Sequence, residues 1–252
     1  MSTAQIRRAL VEAEGNVQRA AEIVASGLGE HKNDARQRCL ERHGVMPEGA
    51  GATVGVVDPD AADLATLRPG RWLSDAVLTA YFALVEAHHS QAHGGKKRIH
   101  IFSPHFMTVF LKNGFKHVKS WTKKFDLFAL DKVLVPVHVN GNHWIMMVAD
   151  MRAKTITTYD SLGKDNAWAA EALHRYLQFK AIDDDKNVPD DWEFIPLLKD
   201  VPQQKNTFDC GVFAARFAFL AANDRPFDFG QSNIPELRKR MMDDLQQKML
   251  SE

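Results

Sequence analysis

The pattern of apolar and polar positions divides the chain into three parts. Residues 1–43 contain two short apolar patterns with helical spacing, separated at Gly15. Residues 44–60 are rich in glycine and small side chains and keep no helical period, which indicates a linker. We therefore predict a helical N-terminal extension at 1–43, a linker at 44–60 and one main domain at 61–252.

Four apolar runs of the main domain have the length and composition of β-strands. They are RIHIF at 98–102, KVLVPVHV at 132–139, HWIMMVAD at 143–150 and KTITTYD at 154–160. Only short breaks separate the last three runs, so we predict that they are neighbours in one sheet. A short turn at 151–153 makes the last two strands antiparallel and brings His143 and Asp160, at their far ends, to the same edge of the sheet.

Helical patterns accompany these strands. Ser74, Asp165 and Asn233 are expected to cap three amphipathic helices. The side chains expected to face inward from the first two are Val77, Leu78, Tyr81, Phe82 and Val85, then Ala169, Ala172, Leu173 and Tyr176. The polar run HHSQAHGGKK at 88–97 is expected to be a loop, whereas CGVFAARFAFLAA at 210–222 predicts a helix buried within the domain. The predicted fold class is α+β, with a central mixed or antiparallel sheet flanked by helices.

Composition and charge exclude several classes of protein. The 252 residues are 45% apolar, and 32 basic side chains balance 32 acidic ones, so we expect no nucleic-acid partner. No apolar run approaches the roughly 20 residues of a membrane helix, and the N-terminus lacks the apolar stretch of a signal peptide. We expect an intracellular monomer of the nucleus or cytoplasm that makes no membrane contact.

Metal and disulfide chemistry is not expected. The two cysteines, Cys39 and Cys210, are too far apart in the chain for a CxxC metal motif, and two cysteines make no disulfide framework. The histidines of residues 88–97 have no carboxylate or thiol at ligand spacing. No motif implies an organic cofactor.

Cys210 is a candidate nucleophile because it opens the predicted buried helix. The thiolate is the reactive form of cysteine, and the N–H groups and positive dipole end of a helix N-terminus stabilise it. Gly211 is expected to leave room for a substrate backbone. The alternative is that Cys210 is a small buried hydrophobe, the commonest role of a free cysteine, and position alone favours that alternative.

A histidine that accepts the thiol proton, oriented by a carboxylate, would complete such a site. His143 and Asp160 are candidates because the strand pattern brings them together. Their alternative roles are a half-buried strand histidine and a turn or capping aspartate. An oxyanion hole could use the backbone N–H of Cys210 together with a side-chain amide of the segment PQQKNTFDC, unless that segment is only a polar loop. The candidate amides are those of Gln203, Gln204 and Asn206.

Four segments in this order resemble the successive signature blocks of the Ulp/SENP family of SUMO-specific cysteine proteases. They are WLSD at 72–75, VHVNGNHW at 137–144, TTYDSLG at 157–163 and PQQKNTFDCGVFAARF at 202–217. The resemblance extends over roughly residues 68–250 and implies a papain-like cysteine protease fold with the nucleophile at the N-terminus of a buried helix. The first 27 residues resemble part of a ubiquitin-associated module, which implies ubiquitin as a partner of this segment. The alternative is an extension that only packs or tethers.

The Ulp/SENP resemblance also implies roles for individual residues. His143, Asp160 and Cys210 match the family's triad, and Gln204 matches its oxyanion glutamine. Two tryptophans that close over the glycine tail of the substrate match Trp72 and Trp144. Asp75 matches an aspartate that we count among the substrate-binding residues, although we leave its exact role open.

The implied activity is hydrolysis after the C-terminal Gly-Gly of SUMO, in the precursor or in conjugates on lysine, without a metal or cofactor. SUMO and SUMO-conjugated proteins would be the partners. The alternatives are the same chemistry on ubiquitin or another modifier, acyl transfer to another acceptor, and a SUMO-binding module that does not cleave.

Overall fold

The computed structural model describes residues 58–186, 191–198 and 200–251. The predicted N-terminal extension, nearly all of the predicted linker and Cys39 lie outside these residues. The division into parts at 43 and 60 therefore stays a prediction. Within the described ranges, no helix is long and apolar enough to cross a membrane.

A five-stranded mixed sheet forms the centre of the domain. Its strands are β1 (Ile99–Ile101), β2 (Lys132–Val139), β3 (His143–Asp150), β4 (Thr155–Tyr159) and β5 (Glu193–Ile195). They lie in chain order, with β2, β3 and β4 antiparallel to one another and the outer pairs β1–β2 and β4–β5 parallel. The predicted neighbours and their antiparallel turn are confirmed, and the predicted bounds of β2 and β3 agree with the observed ones.

Helices cover both faces of this sheet. Those of the described residues are α1 (Ala61–Leu64), α2 (Asp75–Ala92), α3 (Phe106–Asn113), α4 (Ala167–Asp183), α5 (Cys210–Ala222) and α6 (Ile234–Gln247). Short 3₁₀ turns lie at 65–67, 115–117, 119–122, 127–129 and 231–233. The predicted α+β class, with helices flanking a mixed sheet, is confirmed.

Side chains of β3 alternate between two apolar clusters. Trp144, Met146 and Val148 pack in a cluster with α2, α5 and α6, whereas Ile145 and Met147 pack with α3 and α4 on the opposite face. Each face of the sheet therefore has its own core, as period-two alternation in a doubly covered strand requires.

The predicted buried helix is α5. Every residue from Cys210 to Ala222 is buried except Arg216. Phe213 and Phe217 are at most 1% exposed, and full burial of one such ring stabilises the fold by roughly 1.5–3 kcal/mol. The packing therefore fixes the helix that begins at Cys210.

The predicted loop at 88–97 is wrong in its first half, because α2 continues to Ala92. His89 lies one turn after the buried Val85 and is itself only 5% exposed. Its ring stacks on His93, with 4.0 Å between the ring centroids. The buried face of α2 therefore continues through His89, and the polar composition of residues 88–97 did not indicate this.

The predicted caps have three different outcomes. Ser74 caps α2, since its hydroxyl accepts the N–H of Val77 at 3.3 Å. Asp165 is not the N-cap of α4: Asn166 occupies that position, although the Asp165 carboxylate still accepts the N–H of Ala167 at 2.8 Å. Asn233 is the N-cap residue of α6, but its side chain accepts the N–H of Gly230 instead of a helical N–H.

Candidate active site

A tight hairpin turn delivers His143 to the edge of the sheet. Asn140 and Gly141 have φ angles of 53° and 73°, and the N–H of Asn142 donates to the carbonyl of Val139 at 3.3 Å. Asn-Gly is the pair that tolerates two successive left-handed residues most readily. The turn makes His143 the first residue of β3.

The ends of β3 and β4 meet, as the strand pattern predicted. Met146 pairs with Tyr159 at the last position of the ladder. Asp160 follows Tyr159 directly, and His143 lies three residues before Met146, so both residues lie at the same end of the two strands. The distance from His143 Nε2 to Asp160 Oδ1 is 2.7 Å, and both side chains are buried.

The carboxylate of Asp160 receives a full set of hydrogen bonds. Oδ1 accepts from His143 and from the N–H of Leu162 at 2.7 Å, and Oδ2 accepts from the amide of Asn166 at 2.9 Å and the N–H of Lys164 at 3.3 Å. Burial alone would favour the neutral acid. The hydrogen bonds and the charge of His143 outweigh burial and lower the pKa of the Asp160 carboxyl.

Asn166 is a residue that the sequence analysis missed. Its side chain is buried and binds both Asp160 and the carbonyl of Lys164. The only sequence signal was an amide residue just before an expected helix, where Asp165 was the predicted cap. The amide points away from the helix end because it holds the carboxylate.

His143 connects this carboxylate to Cys210. Burial opposes the charged ring, but the hydrogen bond to Asp160 and the favourable interactions of the ring with Asp160 and Cys210 raise the pKa of His143 to about 9. Because Nε2 is bound to Asp160, Nδ1 is the ring nitrogen left for the sulfur. An imidazolium beside the sulfur stabilises a thiolate by simple charge attraction.

Cys210 is the first residue of α5 and is 2% exposed. The alternative of a buried hydrophobe accounts for its burial but not for its place beside His143, where the sulfur helps to raise the pKa of the ring. Gly211 was expected to leave room for a substrate backbone, but the space beside it is occupied. A Cβ at this position would lie 3.2 Å from the side chain of Leu73, so the glycine lets the segment before α2 pack closely on α5.

The three candidate amides of the preceding loop have different partners. Gln203 donates to the carbonyls of Asp160 and Val201, and Asn206 donates to the carboxylate of Asp209. Gln204 is 8% exposed, and its Oε1 accepts from the hydroxyl of Ser161 at 2.6 Å.

The hydroxyl of Ser161 thereby fixes which way the Gln204 amide faces. Nε2 donates one N–H to the carbonyl of Asn206 at 2.5 Å and retains a second N–H. Of the three amides, that of Gln204 lines the same cavity as His143.

Arg238 is a second residue that the sequence analysis missed. Its guanidinium binds the carboxylate of Asp209, next to Cys210, and also donates to the carbonyls of Thr66, Arg68 and Arg71. It therefore ties α6 to the segment before Trp72 and to the start of α5. The available signal was a charged residue one turn after the buried Ile234, on the apolar face of α6.

The remaining candidates lie around these groups. Trp72 is 55% exposed, and its indole N–H donates to the carbonyl of Thr207 at 2.7 Å. Trp144 is 6% exposed and stacks on His138, with 4.4 Å between the ring centroids. Asp75 begins α2, and its carboxylate lies 3.7 Å from Nδ1 of His105.

The fold and the site together define a class of protein. A cysteine at the start of a buried helix, beside a histidine that a carboxylate orients, is the arrangement of papain-like cysteine proteases. The described residues contain no cluster of His, Cys, Asp and Glu side chains able to hold a metal ion. Residues 71–252 match the family model of the Ulp1 protease family, C-terminal catalytic domain, and the chain belongs to this family.

Relatives with known sequences agree with this assignment. A sentrin-specific protease of Caenorhabditis elegans is 38% identical over 190 residues, which are 75% of this chain and 27% of that protein. Human sentrin-specific protease 5 is 34% identical over 189 residues, which are 74% of this chain and 24% of that protein. The matched part of the chain thus spans about a quarter of the length of these curated relatives.

Two solved structures are similar in fold and sequence. SUMO protease Ulp1 with its catalytic cysteine oxidised to a sulfinic acid has a TM-score of 0.67 and 25% identity, covering 88% of this chain and 96% of that one. The C-terminal Ulp1 protease domain in complex with Smt3, the yeast orthologue of SUMO, has a TM-score of 0.65 and 25% identity. That match covers 86% of this chain and 95% of the other.

Proposed function

We propose that this protein is a cysteine protease that hydrolyses the bond after the C-terminal Gly-Gly of SUMO, in the precursor or in isopeptide conjugates on lysine. One observation carries the chemistry: His143 bonds Asp160 at 2.7 Å through Nε2, and Cys210 at the N-terminus of α5 lies close enough to help raise the pKa of the same ring. A buried structural cysteine has no need of an oriented histidine.

The first half of the proposed reaction forms a thioester. The Cys210 thiolate attacks the glycine carbonyl, and the resulting oxyanion accepts hydrogen bonds from the Cys210 N–H and the second N–H of Gln204. His143 gives its proton to the leaving nitrogen as the carbon–nitrogen bond breaks, which releases the amine. Asp160 keeps the ring oriented and stabilises its charged form.

The second half hydrolyses the thioester. A water molecule loses a proton to His143 while its oxygen attacks the acyl carbon, and a second oxyanion forms in the same place. The carbon–sulfur bond then breaks and releases the Gly-Gly carboxylic acid, which loses its proton to solvent to become the carboxylate. The Cys210 thiolate is regenerated beside a protonated His143.

The choice of SUMO rests on the relatives. Sentrin-specific proteases match three quarters of this chain, and a similar Ulp1 domain was solved in complex with the yeast SUMO orthologue. We further propose that Trp72 and Trp144 cover the glycine tail and that Asp75 contacts the modifier, because they match the tryptophans and the aspartate of the Ulp/SENP blocks. The body of the modifier must supply specificity, since ubiquitin also ends in Gly-Gly.

Other proposals concern the rest of the protein. The catalytic unit is proposed to be residues 61–252, which is supported by α1 at Ala61–Leu64 and by the family match from residue 71. We place the protein in the nucleus or cytoplasm, where thiols remain reduced.

The test uses full-length protein with SUMO and ubiquitin, each carrying a fluorogenic amide after its Gly-Gly. We expect a higher kcat/KM for SUMO, and we expect turnover to vanish in Cys210→Ala while Cys39→Ser retains it. Higher kcat/KM for ubiquitin would overturn the choice of modifier. Undiminished turnover in Cys210→Ala would overturn the nucleophile.

A further inference from the structure

A cavity of about 310 Å³ opens beside His143 and Asp160. Three segments form its walls: the hairpin turn before β3, residues 162–168 after β4, and the loop with Gln204 and Thr207. Its volume lies at the lower end of the roughly 300–1,000 Å³ of ligand pockets, which is enough for part of a peptide.

The cavity lies on one face of β3, opposite the face that carries Trp144. Ile145 and Met147, on the face of β3 that His143 shares, pack against α4, whose first turn reaches the cavity at Trp168. Trp144 points to the opposite face, toward α5. Neither Trp144, Trp72 nor Cys210 lines the cavity.

The proton transfer decides which half of a substrate this side of the site would receive. In the proposed reaction His143 protonates the leaving nitrogen, so that nitrogen must lie on the histidine side of the broken bond. The glycine tail, as proposed above, is covered by Trp72 and Trp144, neither of which lines the cavity. The cavity lined by His143 is therefore next to the amine half of the substrate.

The lining of the cavity favours an apolar side chain. Val139, Leu162 and Trp168 contribute apolar surface from two of the three walls. Leu162 is 37% exposed, although its own backbone N–H is held by Asp160. Lys164 and Asp165, both exposed, bring opposite charges to the same cavity, so the lining selects neither an acidic nor a basic group.

We propose that this cavity is the leaving-group subsite of the protease and takes an apolar side chain adjacent to the nitrogen that is released. The inference rests on the proposed function and adds a preference that the Gly-Gly tail cannot supply. The side chain would come from the tail that follows Gly-Gly in a precursor or from a residue flanking the conjugated lysine, because both place peptide beside the same nitrogen.

Two pairs of substrates for the full-length protein test this subsite. In the first pair, SUMO is fused through Gly-Gly to a peptide that begins with leucine or with alanine. In the second pair, SUMO is joined to a peptide lysine that follows leucine or alanine. We expect kcat/KM to be about 10-fold higher for leucine in at least one pair, which is the lower end of the effect of one buried methylene in a hydrophobic pocket.

Variants then assign this preference to the cavity. Leu162→Ser removes apolar lining, so the leucine-to-alanine ratio should fall to about 2-fold. Phe194→Ser is the matched control, since Phe194 is 38% exposed on β5 and does not line the cavity, and it should keep the wild-type ratio.

Each outcome has a distinct meaning. A preference in one pair only assigns the cavity to the precursor tail or to the acceptor protein, and both results support the proposal. Cleavage of all four substrates at equal rates, or a preference that Leu162→Ser leaves intact, overturns the subsite and spares the proposed function. Failure of the wild-type protein to cleave any of them overturns the proposed function itself.

Discussion

The guanidinium of Arg238 places two nitrogen atoms on one oxygen of Asp209, with Nε at 3.1 Å and Nη2 at 2.7 Å from Oδ1. The two side chains are 3% and 4% exposed. The other oxygen of Asp209 accepts from the amides of Asn206 and Gln231, so the carboxylate beside Cys210 is fully bonded. Because the guanidinium also binds backbone carbonyls of residues 66–71, this buried charge pair joins that segment to the start of α5 and to α6.

Breaking this pair should destabilise the protein strongly. Arg238→Met leaves the Asp209 carboxylate buried without its counter-charge, which typically costs about 3–5 kcal/mol of unfolding free energy. Urea denaturation of the full-length protein measures the change. Lys239→Met, at the exposed neighbouring position on α6, is the control and should lose less than about 0.5 kcal/mol. A loss below about 1 kcal/mol for Arg238→Met would contradict the structural role.

The histidine and the aspartate of the proposed triad should contribute unequally to turnover. His143→Ala should be nearly as damaging as loss of Cys210, because it removes the proton carrier. Asp160→Asn should keep about 10²-fold more turnover than His143→Ala, since Asp160 orients the ring without joining any bond that is made or broken. Rates with SUMO amide substrate measure both. Equal activities of the two variants would show that Asp160 does more than orient.

The Gln204 amide is the proposed side-chain donor to the oxyanion. Gln204→Ala should lower kcat by roughly 10²- to 10³-fold, the usual effect of losing one such donor. Gln203→Ala is the matched neighbour, whose amide binds the carbonyls of Asp160 and Val201, and it should lose far less. If both variants lost kcat equally, the oxyanion would not depend on Gln204 in particular.

The buried His89 should make the fold sensitive to acid. Burial, with help from the charges of His93, Arg98 and Lys132, lowers the pKa of His89 to about 4, and only Asp131 opposes this. The unfolded chain therefore takes up a proton near its ordinary pKa of 6.5, whereas the folded protein does not do so until about pH 4. The unfolding free energy should fall as the pH decreases from 6.5 to 4.

Denaturation at several pH values tests this dependence on His89. His89→Gln removes the titrating ring and should flatten the decline between pH 6.5 and 4. His117→Gln, at an exposed histidine, should leave it unchanged. An identical decline in wild type and His89→Gln would show that other groups cause the acid sensitivity.

Local patterns were sufficient for much of the fold and for the main elements of the candidate site. Apolar runs with short breaks predicted the bounds of β2 and β3, and the turn at 151–153 predicted that His143 and Asp160 meet. The apolar segment at 210–222 predicted a buried helix with Cys210 at its start. These features depend on neighbours in the sequence, so the sequence alone determines them.

Long-range packing decided the rest. Asn166 was missed because its amide binds a carboxylate that strand pairing brings close. Gly211 was misjudged because Leu73 packs against it from a segment about 140 residues earlier in the chain. Arg238 has partners from residues 66 to 71 and 208 to 209, which no local pattern connects. A buried polar group must satisfy its hydrogen bonds wherever the folded chain supplies them, and only the tertiary structure determines where that is.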